Sequence, residues 1–491
     1  MNNIMNESNL SASTSIEGYR PLKLTFDIRF VALYLKNMKC DTFEMNRFIT
    51  ELKSTLTKVD SIIKSYVKIK DQKNQVWPIT TIKSETCFEQ PLKKLLMFID
   101  SASQTKIMNN KIETDVLIIV KVRDTQDDIL AAAGPCIVKN SRTIVGMMEL
   151  NKKNMPLRSS RPAFEQYSDV MTLLHEMFHA LAFSPGIHNS LSKDLKDIKK
   201  PGNRLNDSSR FNYLMKMTSI PGQDPLLDNE HWNQAYIPND LMIPIERIDT
   251  VLSIFTLEYI EYVSKYDEIK VFRQNLQYNY IATEIKDFSN FFGYKCARDI
   301  PKSVYSNFCS NDERLKIQKA CDSTYMFKAK CGNKLLANNC YEKVSDKREN
   351  CVAKFDKSSG VSMTNFETRG QNSRCFETPD GSDSYCLQVT LENNLIKIML
   401  PNDNFVSCHV SNSKKPVSFS YDVGGKKKDF ELLCPDVKRF TDIFNKMNCP
   451  NMCFGNGFCS NGQCKCFEGY DQFSNCEKKS VSSTAETSFI A

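Results

Sequence analysis

The chain has 491 residues, of which 41% are hydrophobic and 25% charged, and a net charge of +7 from 65 basic and 58 acidic side chains. That length supports two to four domains and at least one sizeable core. The charge excess is mild and no basic run is interleaved with aromatics, so nucleic acid is not an expected partner. No apolar run reaches about 18 residues, so no transmembrane helix is expected.

Residues 1–19 form a polar segment without the basic and apolar regions of a signal peptide. Either the true start is absent from this chain or targeting is unconventional. Leu22–Phe30 (LKLTFDIRF) alternates apolar and polar residues, as a strand does. Phe48, Leu52, Leu56, Val59 and Ile63 then recur at helical spacing, which predicts a long amphipathic helix over about 43–67. Val116–Val122 (VLIIVKV) is apolar and β-branched, the pattern of a buried central strand. Thr143–Leu150 (TIVGMMEL) is a further strand, and its Gly146 permits close approach of another backbone. Ser168 is placed to cap a helix running to about Phe183. A Pro- and Gly-rich stretch follows, and another helical pattern covers Glu246–Val263.

Cysteine divides the chain. Of 19 cysteines, 16 lie from Cys296 onward, in a stretch without clear periodicity. This reads as a disulfide framework, and hence an oxidising compartment outside the cell or on its surface. The tail, 477–491, is too polar and short for a lipid-anchor signal.

The chemistry is carried by His175-Glu176-Met177-Phe178-His179, an HExxH motif on the predicted helix. Four helical residues rise about 6 Å and return to nearly the same face. Two imidazoles so placed can share one zinc, while Glu176 reaches a water beside it. A core or surface histidine pair is the bland alternative, but a buried Glu beside two His needs a partner, and a metal provides one. A third ligand is required, and the remaining histidines are His188, His231 and His409. His231 is followed eleven residues on by Met242, in Asn239-Asp240-Leu241-Met242-Ile243-Pro244.

HEMFHALAFS, a long insertion, then His-Trp, then DLMxP resembles leishmanolysin, a metallopeptidase family of the metzincins. The likeness extends to LKLTFDIRF, TDVLIIVKV, Cys136 and GMMELN, about residues 20–265. It implies an α+β, metzincin-like catalytic domain in which an active-site helix packs on a mixed sheet. It also implies one Zn2+ per chain on His175, His179 and His231, with Glu176 as general base and Met242 as the Met-turn residue. His188 is then not the ligand, and the position used by short-spaced metzincins is here Pro185. The family carries Gly where this chain has Ala182. A left-handed helix exit there would cost roughly 1–2 kcal/mol, or the helix exits differently here; Ala182→Gly is expected to keep or raise activity. Substrate would lie along Thr143–Leu150 by strand addition.

Cys449, Cys453, Cys459, Cys464, Cys466 and Cys476 resemble an EGF-like module in spacing. That resemblance implies the pairs Cys449–Cys459, Cys453–Cys464 and Cys466–Cys476. The module implies contact with cell surfaces or matrix, or structural capping. By subtraction Cys40 is left unpaired if Cys87 bonds Cys136, although Cys40–Cys87 would serve as well.

The expected organisation is a polar segment (1–19), the peptidase domain (20–265, with an insertion at 184–230), a cysteine-rich domain (266–440), the EGF-like module (449–476) and a polar tail (477–491). No inhibitory pro-segment is expected in this chain. The expected function is that of a secreted or surface zinc endopeptidase acting on proteins or peptides. The rivals are an inactive metzincin relative that binds or adheres through its cysteine-rich half, and a purely structural cysteine-rich protein that holds no zinc.

Overall fold

A computed structural model describes residues 18–70, 114–157, 163–185, 230–264, 319–335, 341–352, 367–423, 426–480 and 487–490, apart from 125–126, 140–141, 235–239, 248–249, 251, 394, 401–403, 461 and 468. It also describes the short pieces 86–87, 90–91, 187, 269–271 and 308–309. The N-terminal segment up to residue 17, most of the insertion, and His188 lie outside the described residues.

The first half runs β1 (Tyr19–Pro21), β2 (Leu24–Asp27), α1 (Arg29–Asn37), α2 (Thr42–Tyr66), β3 (Val67–Lys70), β4 (Thr86–Cys87), β5 (Gln90–Pro91), β6 (Val116–Arg123), β7 (Ala131–Lys139), β8 (Arg142–Asn151), α3 (Ala163–Leu181), α4 (Ile254–Val263) and β9 (Ile269–Val271). Asp41 caps α2 by accepting from Glu44 N at 2.7 Å, and the helix buries Phe48, Leu52, Leu56, Val59 and Ile63 on one side. Each such side chain contributes roughly 1.5–3 kcal/mol of burial. The strand expected over Leu22–Phe30 stops at Asp27, because Asp27 pairs with Arg29 and the chain turns there into α1.

Among the described residues the main sheet has the order β22-β2-β6-β8-β7, where β22 is the short strand Ser488–Ile490. Strands β22, β2, β6 and β8 pair in parallel, and β7 joins β8 antiparallel at the edge. β6 is buried along almost its whole length, as its unbroken apolar run requires. Helix α3 packs on β7, β8 and α2. Gly146 of β8 permits this contact: a Cβ there would lie 3.2 Å from Ala180 Cβ and 2.9 Å from Ile118 Cδ1. The Thr143 hydroxyl donates to Ala180 O at 2.6 Å, satisfying one of the carbonyls left open at the helix end.

Two helix limits differ from the sequence reading. α3 begins at Ala163, so Ser168 lies inside it, and its hydroxyl donates to Glu246 instead of capping. α4 begins only at Ile254, where Ser253 caps by accepting from Phe255 N; Glu246 and Arg247 are not helical.

The cysteine-rich half contains a sheet of β10 (Phe308–Cys309), β13 (Tyr341–Asn350), β12 (Phe327–Leu335) and β11 (Ala320–Cys321). A meander of β14 (Ser373–Glu377), β15 (Ser384–Glu392), β16 (Leu395–Met399) and β17 (Phe405–Cys408) follows, then the hairpin β18 (Pro416–Val423) and β19 (Lys426–Leu433), and α5 (Val437–Met447). The disulfides Cys321–Cys375 and Cys351–Cys386 tie the first sheet to the meander; Cys309–Cys331 and Cys408–Cys434 lie within this half as well. Cys296 and Cys340 are outside the described residues. Cys87 bonds Cys136, and Cys40 carries a free thiol.

The C-terminal cysteine module holds β20 (Gly457–Ser460) and β21 (Gln463–Cys466), with disulfides Cys449–Cys459, Cys453–Cys464 and Cys466–Cys476. It lies against the first half. Phe458 packs edge-on against Tyr167 of α3, with ring centres 6.3 Å apart, and Lys58 of α2 donates to Gly455 O at 3.3 Å. Beyond it, Thr487 donates to Asp60 at 2.8 Å and Phe489 packs on Phe26. Among the described residues no helix is long and apolar enough to cross a membrane.

Candidate metal centre and active site

Helix α3 presents His175 and His179 one turn apart on one face, as their spacing requires. His231 arrives from a separate segment, 52 residues beyond His179 in sequence. Nε2 of His179 lies 2.9 Å from Nε2 of His175 and 3.1 Å from Nε2 of His231. His409, by contrast, sits exposed at the start of a 3-10 turn in the cysteine-rich half and is not part of this cluster.

The tautomers are set by the backbone. Nδ1 of His175 lies 2.6 Å from Leu241 O, and Nδ1 of His179 lies 2.7 Å from Phe183 O. A carbonyl only accepts, so each Nδ1 carries the proton and each Nε2 presents a lone pair. Two lone pairs facing each other at 2.9 Å repel unless a cation lies between them. Imidazoles about 2.0–2.1 Å from one tetrahedral zinc have nitrogens about 3.3 Å apart, close to what is found here. The donor set therefore fits a zinc ion. Burial and the neighbouring His179 both hold the His175 imidazole well below its usual pKa, which keeps it neutral and able to ligate.

Glu176 is buried beside this cluster. Burial pushes its carboxyl up to about 8, Ala133 N–H of β7 facing it offsets part of that rise, and Glu230 adds to it. Its Oε2 has no hydrogen-bond partner among the described residues. A dication within reach would draw this pKa down again.

Met242 is fully buried, next in sequence to the Leu241 carbonyl that meets His175, and is held through both its backbone N–H and its C=O. Trp232 N donates to Met242 O at 2.7 Å, and Met242 N donates to Asp240 Oδ1 at 2.7 Å. Asp240 also accepts from the hydroxyls of Ser253 and Thr256, the latter at 2.6 Å, and Thr256 in turn accepts from Trp232 Nε1 at 2.9 Å. Burial raises Asp240 to about 6, against the lowering effect of these donors. The cysteine-rich half braces the same segment: Gln234 donates to Glu342 at 3.0 Å and Arg247 to Lys343 O at 3.0 Å. Sequence reasoning missed Asp240, Thr256 and the two carbonyl anchors. Only Asp240 left a trace there, as an Asx-type turn residue two positions before Met242.

The leishmanolysin family model matches residues 44–209. Over this stretch the chain is similar to leishmanolysins. The matched stretch runs from α2 through α3, so it contains His175, Glu176 and His179 and ends before His231 and Met242. Leishmanolysins are a zinc-dependent metallopeptidase family. A search of curated proteins finds no match.

One sequence expectation needs correction, and the geometry decides one that was open. Thr143–Leu150 is not an edge: β8 is paired by β6 on one side and β7 on the other. The strand nearest Glu176 with an open side among the described residues is β7, which the sequence reading passed over. Ala182 does not adopt a left-handed conformation either. Its N–H donates to Phe178 O at 2.8 Å, Phe183 N donates to the same carbonyl at 2.9 Å, and the helix ends without the geometry that favours glycine.

Proposed function

We propose that this chain is a zinc-dependent endopeptidase that cleaves peptide bonds in proteins or peptides. The observation that carries the reading is the convergence of three imidazole nitrogens, two with tautomers fixed by backbone carbonyls, beside a buried carboxylate with an unpaired oxygen. His175, His179 and His231 would hold the metal. A zinc ion there supplies a Lewis acid that polarises the scissile carbonyl and acidifies a water.

Glu176 does the proton work. It takes a proton at Oε2 from the attacking water and gives it to the leaving nitrogen as the carbon–nitrogen bond breaks. Its burial removes competing water, so the proton it takes is handed on to the leaving nitrogen. The open side of β7 offers backbone groups to an extended substrate by strand addition. Met242 gives the ligands an apolar floor and takes no chemical step.

The domain assignment follows: a peptidase domain over about 20–265, a cysteine-rich domain to about 440, and an EGF-like module at 449–476. The abundance of disulfides fits an extracellular or surface setting. Zinc content and peptide cleavage, measured together on the wild type and on Glu176→Ala, test the reading. The wild type should hold one zinc and lose turnover with a chelator. The variant should keep the zinc and lose about 10²–10⁴-fold in rate. A variant with near-native turnover, or a wild type without stoichiometric zinc, overturns it.

A further inference from the structure

The buried carboxylate of Asp240 touches none of the three histidines, yet it faces the peptide group that anchors one of them. Met242 N–H, which donates to Asp240 Oδ1, and Leu241 C=O, which accepts from His175 Nδ1, belong to a single peptide unit. A planar peptide transmits charge from one end to the other through resonance. A carboxylate on its N–H side makes its oxygen more negative and the His175 hydrogen bond stronger, and hydrogen bonds in series reinforce one another in a low-dielectric interior. In many metal sites a carboxylate bonds the ligating histidine directly and raises its basicity. Here the carboxylate is one peptide removed.

A second route leaves the same oxygen. Thr256 donates to Asp240 Oδ1 and accepts from Trp232 Nε1, and Trp232 follows His231 directly. The Trp232 backbone N–H also donates to Met242 O, closing a ring of bonds around the turn. Asp240 thus meets the segment of His231 on one side and the acceptor of His175 on the other. Asp240, Thr256, Trp232, Leu241 and Met242 are all buried, Asp240 and Thr256 completely, so the linking groups of both routes are shielded from solvent.

We infer that Asp240 is a positioning residue for the metal: acting through the 241–242 peptide on His175 and through Thr256 on the His231 segment, it sets how tightly the three histidines hold a divalent cation. The inference rests on the zinc site proposed above. It separates two roles that a merely structural aspartate would not, namely shape and charge. Asn in place of Asp preserves shape and one acceptor, and removes the charge that polarises the peptide.

The test is the zinc affinity of the metal-free full chain, read by competition with a chromogenic chelator, together with the visible spectrum of the cobalt-loaded protein. Asp240→Asn should weaken zinc about tenfold or more, the range found when an outer partner of a ligand is lost, and should shift the cobalt bands. Thr256→Val should weaken it severalfold, while Thr256→Ser, which restores the hydroxyl, should return it to within twofold of wild type. Val31→Ala in α1, destabilised but outside the ring of bonds, should bind zinc as the wild type does. The Thr256 pair keeps the test decisive if Asp240→Asn fails to fold. Zinc affinity unchanged in Asp240→Asn and Thr256→Val, or lost equally in Val31→Ala, overturns the inference and leaves the zinc site standing. A wild type that binds neither metal overturns the zinc reading and this inference with it.

Discussion

Nδ1 of His179 lies 2.7 Å from the carbonyl oxygen of Phe183, a residue just beyond the end of the same helix. The chain leaving α3 therefore holds one histidine of the cluster while the turn before Met242 holds another. Between them sits Ala182, whose Cβ is fully buried and whose backbone is not left-handed.

Ala182→Gly should accordingly bring no gain. Glycine adds conformational freedom to the unfolded chain and removes a buried methyl, so stability should fall by roughly 0.5–1 kcal/mol or more, with zinc stoichiometry unchanged. Chemical denaturation of the two metal-free proteins measures this. A more stable or more active variant would show that the exit prefers a geometry other than the one seen here.

His231→Ala should lose the metal and His409→Ala should keep it. Removing one of three ligands leaves too few donors for a catalytic zinc, whereas His409 is exposed in the other half of the chain. Elemental analysis of dialysed proteins reads the outcome.

Gly455→Ala should loosen the C-terminal module from the helix it rests on. Gly455 has φ +68°, and a Cβ there would lie 2.8 Å from Ala163 O, so strain and collision act together. Faster proteolytic release of the module, with a lower Tm for the first half, is the expected result. Unchanged proteolysis would mean that the seat on α3 contributes little.

Stability should rise as pH climbs from about 8 toward 10.5, and Lys58 is the cause. Burial lowers its pKa from 10.5 to about 8, with Lys479 adding to that and Glu51 and Asp169 opposing it. Between the two values the unfolded chain binds more protons than the folded one, so raising the pH favours folding. Below about 8 the penalty of the buried charge is fully present. Lys58→Met should flatten this window and be the more stable protein at neutral pH. Denaturation midpoints at pH 7 and pH 9.5 compare them.

The parts of this fold that could be read from sequence are those where one face or one core decides the pattern. The 3.6-residue recurrence of α2 and the unbroken apolar run of β6 required burial in only one way, and HExxH on a helix left little choice for His175 and His179. β7 was missed because AAAGPCIVK has no alternation and contains Gly134 and Pro135, which mark a turn as readily as a bulged edge. α3 was begun too late because Ser168 looks like a cap while its hydroxyl is committed to Glu246. The bond between His175 and Leu241 spans 66 residues and uses a main-chain atom, which leaves no mark in the identity of either residue.

The short strand β22 has a consequence for how the protein is made. It pairs Ser488 with Thr25 at one margin of the main sheet. During translation, β2 emerges early and must wait, with that margin open, until residue 488 has cleared the ribosome. Contacts so distant in sequence form slowly, and an open strand margin invites pairing with other nascent chains. Closure of the main sheet at this margin therefore waits for a strand that is made after the cysteine-rich half.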